Sequence, residues 1–583
     1  MRKELSIGLG MLSFAAVAVA GAMGLRALPR PIEALERGAG VLRAEAGALR
    51  YEAAVSPAED RERLRARLDR HTELAVQPVG DDGIALELPG LSPGLHFVEL
   101  ELTRRGGRVT RFSDEVVSGP WQHERERGCD LGLVLGPQGV HDLLLPVVET
   151  KLLAGARSNA YFGPTSVLPR KVLEVVDGGL RFDVALDTSE EDKGDLRVAG
   201  VIDVRGSGDA GIIASLRRLD TAAPGPKLEA LARAEGARRL GAIGVTVGGG
   251  LVAAAGGGTL LGMAVAAGGG LVGRKLGEKV GEKTARREVE REAKEQIERA
   301  LRVATEAMRL PEQVVVLPTE PALVADLHWC GEPRLSAELG LTAALRLELR
   351  EDAMGTQAAS QAVWLGTELP LPRRPEREGA NLRVDVSGDL LNRLLAEWVV
   401  RGGLQAELDR SGLREEVQAS LGERTRWETR ALGVELPPML RPRGDGSIEA
   451  TLGGVVLELG DPERAGMRTV VLGATGVLAL RPEDAVGRVR LGGALDAAYL
   501  GCRERQGDRE RRVPCFSAVL DPEALRSQLD EQLRVRSDRL PVLDLGALLR
   551  LRIFGEASER ALDVDGLWVA AEEGTVAVEA VVR

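Results

Sequence analysis

The sequence is poor in the residues that build stacking platforms and metal sites. Aromatic residues make up 3% of its 583 residues, and it contains five histidines and four cysteines. Few aromatic side chains leave little surface on which nucleic-acid bases can stack. A formal net charge of −11 also opposes a nucleic-acid partner, because binding phosphates requires a basic surface. The composition therefore excludes nucleic-acid binding and predicts no metal and no cofactor.

Motifs that carry catalysis are also lacking. The sequence has no GxSxG, SxxK or Walker pattern, and its histidines form no HExxH or paired motif. Residues 206–211 fit GxGxxG, but the strand before them alternates in charge, which is typical of an exposed hairpin and not of a buried parallel strand. The sequence predicts a protein that is not an enzyme, with an enzyme on an unfamiliar β-rich fold as an alternative. The widely separated histidines are His71, His96, His123, His141 and His328.

The N-terminus carries one long apolar run. Leu5 to Leu25 has 21 residues without a charge, after a basic start. A helix of that length reaches about 31 Å, enough to cross a bilayer. Residues 1–30 are therefore predicted to be a cleaved signal peptide or a retained N-terminal membrane anchor; a buried helix of the fold is the third alternative. Either of the first two places the rest of the chain in the bacterial cell envelope, on the periplasmic side.

The four cysteines suit an exported protein. Cys502 and Cys515 flank a polar stretch that is typical of a hairpin tip, and this spacing predicts a disulfide between them. Two unrelated thiols are the alternative. A pairing of Cys129 with Cys330 is compatible with the sequence, but their spacing does not indicate it.

Residues 38–120 are predicted to form a small β-sandwich. Residues 83–88 and 96–102 alternate between apolar and polar side chains, and Pro-Gly or Gly-Gly pairs follow them. Strict alternation indicates half-buried strands, and short strands at this spacing indicate a small β-sandwich. Residues 91–100 resemble the penultimate hairpin of bacterial immunoglobulin-like modules, which implies an immunoglobulin-like fold.

Two distant segments match without a gap at an offset of 251, residues 131–153 and 382–404. In each, a strand with alternating apolar residues leads through a tight turn into an amphipathic helix. Leu133 and Leu135 correspond to Val384 and Val386. On the helix, Val140, Leu143, Leu144 and Val147 correspond to Leu391, Leu394, Leu395 and Trp398.

The repeat predicts two related modules. Each helix is followed by long alternating strands, then by a late helix that ends at Leu-Pro, and then by further strands. The modules are predicted over residues 128–350 and 380–583, with 351–380 as their linker. The expected fold is α+β: a small β-sandwich, then two tandem modules of highly curved antiparallel sheet, each wrapped on a long helix.

The second module resembles the BPI/LBP-type tubular lipid-binding (TULIP) superfamily. The resemblance rests on Val384-Asp385-Val386-Ser387, on the helix that follows with Trp398, and on Gly402-Gly403-Leu404. It implies a sheet that encloses an apolar lipid channel, and members of the superfamily carry two such modules. The first module departs from the pattern at Pro146 and at His141, and no Trp matches Trp398.

The resemblance and the repeat together imply a set of apolar side chains that line the channel. Acyl chains would gain about 0.8 kcal/mol per buried methylene there. A solid core formed by the same residues is the alternative. The expected lining residues are Leu133, Leu135, Leu143, Leu144, Val147, Val384, Val386, Leu391, Leu394, Leu395 and Trp398.

A glycine-rich apolar insertion over residues 240–281 occurs in the first module alone. Glycines spaced by four form a smooth helix stripe that lets a second helix approach, as in glycine zippers. The sequence predicts a helical hairpin that inserts in a membrane, with a single spanning helix or a hairpin or loop packed over the module as alternatives. The membrane-contact candidates are Gly258, Gly262, Gly269 and Gly273.

These features predict a lipid-binding or lipid-transfer protein of the bacterial envelope. Its partners would be a lipid or another amphipathic ligand and the membrane. A structural scaffold of the envelope, with filled cores, is the alternative. A continuous apolar space would favour the first and its absence the second.

Overall fold

The computed structural model describes strands, helices and some of the segments that connect them. The described residues are 35–36, 42–44, 49–55, 58–81, 83–103, 109–120, 122, 128–144, 165–188, 195–207, 211–224, 298, 313–317, 323–350, 362–410, 414–415, 428–460, 467–482, 488–506, 509–513, 542–544 and 564–582. The N-terminal segment 1–30, the glycine-rich insertion 240–281, Val147 and Cys515 lie outside them. In the described part of the chain, no helix combines the length and the apolar character needed to cross a bilayer.

The N-terminal region folds into two packed sheets. One sheet has the order β2-β9-β8-β4-β5, and β3, β7 and β6 form the end of another. Tyr51 and Leu86 of the second sheet pack with Leu100 and Phe112 of the first in one buried core. The bounds are β1 Leu35–Glu36, β2 Leu42–Ala44, β3 Leu49–Val55, β4 Leu64–Leu68, β5 Thr72–Leu74, β6 Val76–Val79, β7 Gly83–Leu88, β8 Gly94–Thr103 and β9 Val109–Ser118, with a 3-10 helix Ala58–Arg63.

A central sheet combines strands from both halves of the chain. Its order is β15-β16-β18-β10-β19-β28-β27, with β17 paired to β18. Its neighbouring strands are antiparallel. The bounds are β10 Leu131–Leu135, β15 Gln313–Leu317, β16 Leu323–Trp329, β17 Arg334–Ser336, β18 Gly340–Leu349, β19 Leu382–Ser387, β27 Val564–Glu572 and β28 Thr575–Val582.

Two further sheets are built from long strands. In the first half, the four-stranded sheet has the order β11-β12-β13-β14. In the second half, β20-β22-β23-β24-β25 continue through β1 into the N-terminal sheet β3-β7-β6, while β21 pairs with β22 and β26 with β24. The bounds are β11 Thr165–Val176, β12 Gly179–Thr188, β13 Asp195–Ser207, β14 Gly211–Pro224, β20 Glu428–Val434, β21 Met439–Pro442, β22 Ser447–Gly460, β23 Met467–Pro482, β24 Arg488–Gln506, β25 Arg509–Val513 and β26 Val542–Asp544.

Helices start directly after the two repeated strands. Pro137–Gly139 (α1) continues as a π-helical turn Val140–Leu144, and Gly388–Val400 (α2) is followed by Gly403–Arg410 (α3). Proline suits the first turn of α1 because its missing N–H would lack a helical partner there. At α2, the Ser387 hydroxyl caps the helix by accepting a 3.1 Å hydrogen bond from the Leu390 amide. The strand–turn–helix predicted in the second half therefore forms over its whole length, and in the first half the strand and the start of the helix, as far as Leu144, are described.

The described residues confirm a sheet-rich α+β fold and the strands expected from alternation. Residues 83–88, 96–102, 179–186, 196–204, 447–459, 469–480 and 489–499 all lie in strands. Strands β13 and β14 form a hairpin at the GxGxxG segment, as predicted from its charge pattern. The domain boundaries, the curvature of the modules and their long helices stay predictions.

The cysteine pairing differs in part from the expected one. Cys129 and Cys330 form a disulfide across 201 residues, which their spacing did not indicate. The bridge forms because the start of β10 and the end of β16 flank the same strand, β18. Cys502 is also disulfide-bonded and lies on the predicted hairpin, opposite Val513. Because Cys515 lies outside the described residues, the Cys502–Cys515 bridge stays a prediction.

Removing the Cys129–Cys330 bridge is expected to lower the free energy of unfolding of the oxidised protein by about 2–4 kcal/mol. The bridge closes a loop of roughly two hundred residues, which restricts the unfolded chain. Urea unfolding of the double variant Cys129→Ala/Cys330→Ala, compared with the unaltered protein, measures this loss. The exposed-site variant Thr72→Ala is the control for an ordinary surface change, and equal midpoints for all three proteins would contradict the prediction.

Candidate functional site: an apolar face on the central sheet

One face of the central sheet is apolar across six neighbouring strands. Side chains alternate between the two faces of a strand, so the register of the pairs assigns each residue to a face. The apolar face is defined by the positions in register with Leu133 and Val384. Its members are Ala325, Leu327 and Trp329 on β16, Leu341, Ala343, Leu345 and Leu347 on β18, Leu131, Leu133 and Leu135 on β10, Leu382, Val384 and Val386 on β19, Val576, Val578 and Ala580 on β28, and Leu567, Val569 and Ala571 on β27.

The two repeated strands pair with each other at the centre of this face. Leu133 lies directly opposite Val384, and these two residues are also equivalent in the sequence repeat. A local twofold axis therefore passes between them and relates strand β10 to strand β19. Leu131 lies opposite Val386 and Leu135 opposite Leu382, as the same axis requires.

On strands β10 and β19 the apolar face is more covered at one end than in the middle or at the other end. Leu133, Val384 and Val578 are half-buried, and so are Leu131 and Val386 beside them. At the far end, by contrast, Leu135, Leu382 and Ala580 are buried. Half-buried apolar side chains in the interior of a sheet keep apolar surface that a ligand can cover.

Helix α2 lies across the apolar face and contacts both halves of it. Leu390 packs with Ala325 and Leu347 from the first half of the chain. Leu395, one turn further on, packs with Ala571 and Val576 from the second half. Leu391 and Leu394 belong to the same two clusters and stay half-buried, so the helix leaves part of the face accessible.

Polar contacts fix the position of α2. Asn392 is buried and bonds both backbone groups of Leu440 on β21. Its side-chain amide donates to the Leu440 carbonyl at 2.9 Å, and its side-chain carbonyl accepts from the Leu440 amide at 2.7 Å. Asp389 accepts hydrogen bonds from the amides of Leu365 and Thr367 at 2.6 and 2.9 Å. Burial raises the pKa of the Asp389 carboxyl, although these amides oppose the change.

The C-terminal end of α2 is closed by Trp398. This side chain is 5% exposed, and a side-chain carbon added at Gly403 would overlap its indole ring. The Gly402-Gly403 pair thus lets α3 begin against the tryptophan. Gly402 has a positive φ of 75°, a conformation that favours glycine at a helix end.

Two buried polar residues, Asp130 and Asn381, occupy equivalent positions in the two repeated segments. Asn381 precedes β19, and its side chain bonds both backbone groups of Val582 at 2.7 and 2.8 Å. Asp130 is the equivalent residue before β10, and its carboxylate accepts from the Leu347 amide at 2.9 Å. A carboxylate cannot donate to the Leu347 carbonyl, so Arg393 of α2 does so at 2.8 Å and also pairs with Asp130 at 2.8 Å. In the first half, Asp130 and Arg393 together therefore make the two hydrogen bonds that the Asn381 side chain makes alone in the second half.

The opposite face of the central sheet carries a buried charge cluster. Arg383, 1% exposed, pairs with Asp385 at 2.7 Å, with Glu579 at 2.9 Å and with Glu572 at 2.8 Å. Arg373 of the connecting segment also pairs with Glu572. Glu579 in turn accepts from the amides of Glu376 and Arg377. This charge cluster holds segment 373–377 against the polar face, which leaves the apolar face for α2.

The structure brings together most of the lining residues predicted from sequence. Leu133, Val384 and Val386 lie on the apolar face, and Leu391, Leu394, Leu395 and Trp398 lie on α2. Leu135 is on the same face but buried at its end. Leu143 and Leu144 lie in the π-helical turn, and the backbone alone is described there. Whether any of these residues contacts a lipid stays a prediction.

Sequence reasoning missed the contributions of the late strands. Val569 and Val578 extend the half-buried column beyond β19. On the other side Leu327 is also half-buried, but it lies beyond β18, whose residues on this face are buried. The sequence predicted further strands after each late helix but did not show which strands are neighbours. The polar residues Asp130 and Asn381 were also missed, although both occupy the position just before a repeated strand.

Titratable groups do not gather on the apolar face. In the described ranges, no group of three or more His, Cys, Asp or Glu side chains could hold a metal ion. His96, in the N-terminal sandwich, has both ring nitrogens engaged, with Asp69 at 2.7 Å and the Ser92 carbonyl at 2.8 Å. Burial alone would lower the pKa of His96, but the Asp69 carboxylate raises it above its ordinary value.

No protein-family model matches the chain, and no curated protein matches it in sequence. Among solved structures, the chain is similar to a lipopolysaccharide binding protein, with 10% identity and a TM-score of 0.29. That similarity covers 78% of this chain and 99% of the other.

Proposed function

We propose that the protein is an extracytoplasmic lipid-binding or lipid-transfer protein that holds acyl chains against the apolar face. The observation that supports the proposal is the half-buried column through Leu133, Val384 and Val578, at the junction of the two repeats. Leu and Val side chains suit flexible chains, and each methylene covered there contributes about 0.8 kcal/mol.

In this proposal the two repeats are related tubular modules, and α2 is the helix on which the second module wraps. The protein binds its ligand without catalysing a reaction. It resides in the bacterial cell envelope, where its N-terminal segment is either removed after export or retained in the inner membrane. The glycine-rich insertion offers a second membrane contact.

Native mass spectrometry and lipid extraction of protein purified from its host test this function. Bound lipid is expected in the unaltered protein. The variant Val384→Phe fills space at the centre of the apolar face and is expected to lower the lipid content by at least half. Val581→Phe is the matched control, because Val581 is also half-buried but alternates onto the opposite face of the neighbouring strand.

Two results would overturn the proposed function. Recovery of the unaltered protein without lipid would favour an envelope scaffold with filled cores. Equal lipid contents in both phenylalanine variants and the unaltered protein would place the ligand away from the apolar face. Circular dichroism of each variant checks that a lower lipid content does not come from unfolding.

A further inference from the structure

The N-terminal sandwich docks on a strip of glycines in the second half of the chain. Gly453, Gly473 and Gly501 lie on the adjacent strands β22, β23 and β24. Side-chain carbons added at Gly453 and Gly473 would overlap Leu95 and Phe97 of β8, respectively. One added at Gly501 would lie 2.6 Å from the Ser113 carbonyl oxygen of β9. The absence of side chains on this glycine strip lets strands β8 and β9 approach closely.

Apolar and aromatic contacts complete the interface. Phe97 stacks on Tyr499 of β24 with ring centroids 3.9 Å apart and planes 8° apart. Leu95 and Val117 join the same buried cluster as Leu436 and Met439 of the second half. A well-packed interface of this kind keeps water away from any polar group that it encloses.

The tight turn between β4 and β5 places the guanidinium of Arg70 at one side of this interface. Asp69 and Arg70 have positive φ angles of 49° and 64° and connect β4 to β5. Arg70 donates to the Ala498 carbonyl, and its guanidinium lies 5.1 Å from the centre of the Tyr499 ring. Asp69 accepts from the Phe97 amide at 2.8 Å and so fixes the turn against β8.

Glu115 is the carboxyl group enclosed by this interface. It lies on β9, is 9% exposed and accepts a 2.7 Å hydrogen bond from the amide of Gly454, next to the glycine strip. Burial raises the pKa of Glu115 from 4.5 to about 7. The Gly454 amide and Arg503 oppose this rise, while Glu435 and Asp114 add to it. Asp114 itself points to the sandwich core, where it accepts from the Tyr51 hydroxyl at 2.6 Å.

We propose that Glu115 makes the docking of the N-terminal sandwich on the glycine strip depend on protonation. Glu115 contacts the second half of the chain through this interface, so local opening between β9 and the glycine strip returns its carboxyl to water. The protonated carboxyl is enclosed without a buried charge and retains its contact with the Gly454 amide. The ionised carboxyl must give up its hydration to remain docked.

The sign of the effect follows from linkage. A carboxyl whose pKa is higher in the docked state binds protons more tightly there, so docking is favoured at low pH. This contribution is fully present below about pH 4.5 and is lost as the pH rises through about 7. Between pH 6 and pH 8 the docking equilibrium constant is expected to fall about tenfold. The pKa of His96 is also raised, through Asp69 and Ser92 of the sandwich itself, so the test must separate the two groups.

Hydrogen exchange followed by mass spectrometry, corrected for the intrinsic pH dependence of exchange, measures this opening in the full-length protein. In the unaltered protein, the Gly454 amide, which donates to Glu115 across the interface, is expected to exchange about ten times faster at pH 8 than at pH 6, as read in peptides that span this part of β22. Glu115→Gln mimics the protonated carboxyl and is expected to abolish most of this change. Glu87→Gln alters an exposed carboxyl on β7 of the same sandwich and is expected to behave like the unaltered protein.

The outcomes separate clearly. Corrected exchange that is the same at both pH values in the unaltered protein would overturn the proposal, and so would a pH dependence that survives intact in Glu115→Gln. If Glu115→Gln fails to fold, His96→Gln takes its place: a retained transition near pH 7 supports Glu115, and its loss assigns the effect to His96. Lipid content is not part of this readout, so the result is independent of the proposed lipid-binding function.

Discussion

The variant Arg393→Leu is expected to lose about 3–5 kcal/mol of unfolding free energy, and adding Asp130→Asn is expected to restore most of the loss. Arg393 and Asp130 are 6% and 7% exposed, and they pair at 2.8 Å. Removing one member of a buried ion pair leaves the other charge without compensation, which is strongly destabilising. The single variant also leaves the Leu347 carbonyl without the donor that Arg393 supplies.

The recovery is expected because the protein already contains the alternative arrangement. At the equivalent position, Asn381 alone bonds both the amide and the carbonyl of Val582. An asparagine at position 130 can do the same with Leu347, without a charge and without help from α2. The double variant would thus copy the second repeat into the first.

Urea unfolding of the two single variants, the double variant and the unaltered protein gives the coupling energy of this cycle. Arg334→Leu, an exposed arginine on β17, serves as the control for loss of a surface charge. A double variant as unstable as Arg393→Leu would contradict the equivalence of Asp130 and Asn381. A single variant as stable as the control would show that the ion pair contributes little.

The second large effect is expected at Arg383. Replacing it with methionine keeps much of the volume but leaves Asp385 and Glu579 without their cation, whereas Glu572 keeps its pair with Arg373. Uncompensated buried carboxylates are expected to lower the unfolding free energy by about 3–5 kcal/mol. Arg383→Lys keeps the charge but cannot reproduce contacts with three carboxylates through a planar group, so an intermediate loss is expected.

Chemical unfolding ranks these variants, and segment 373–377 provides a second readout. Glu579 holds the amides of Glu376 and Arg377, so a disrupted charge cluster should release this segment and make it a site of limited proteolysis in Arg383→Met. Arg346→Met, on the same polar face and more exposed, is the matched control. Equal unfolding midpoints for Arg383→Met and Arg346→Met would refute the structural importance of the cluster.

The alternation of apolar and polar residues predicted the strands well, because successive side chains of a half-buried strand point in turn to the buried face and to the exposed face. The segments around Leu86, Leu100 and Val471 illustrate this, and all lie in strands of the expected extent. The repeat likewise predicted that Leu133 and Val384 are equivalent. It could not predict that they are also neighbours, because equivalence in sequence does not determine which strand edges meet.

Other parts of the architecture left no local signal in the sequence. Gly453, Gly473 and Gly501 lie on three separate strands, and their shared role appears only when β8 and β9 pack on them. Cys129 and Cys330 are brought together by the strand order of the central sheet. Asp130 resembles an ordinary polar turn residue until Leu347 and Arg393 are seen beside it. In each case the partner is distant in the chain, so packing decides the outcome.

The direct pairing of β10 with β19 has a consequence for how the chain can be divided. A fragment ending before the linker would leave Leu131–Leu135 as an open, apolar strand edge, and a fragment beginning after it would leave Leu382–Ser387 in the same condition. Such edges recruit other chains and promote aggregation. Either fragment alone is therefore expected to associate with a second copy or to aggregate, and the full-length chain avoids this because each of the two strands covers the edge of the other.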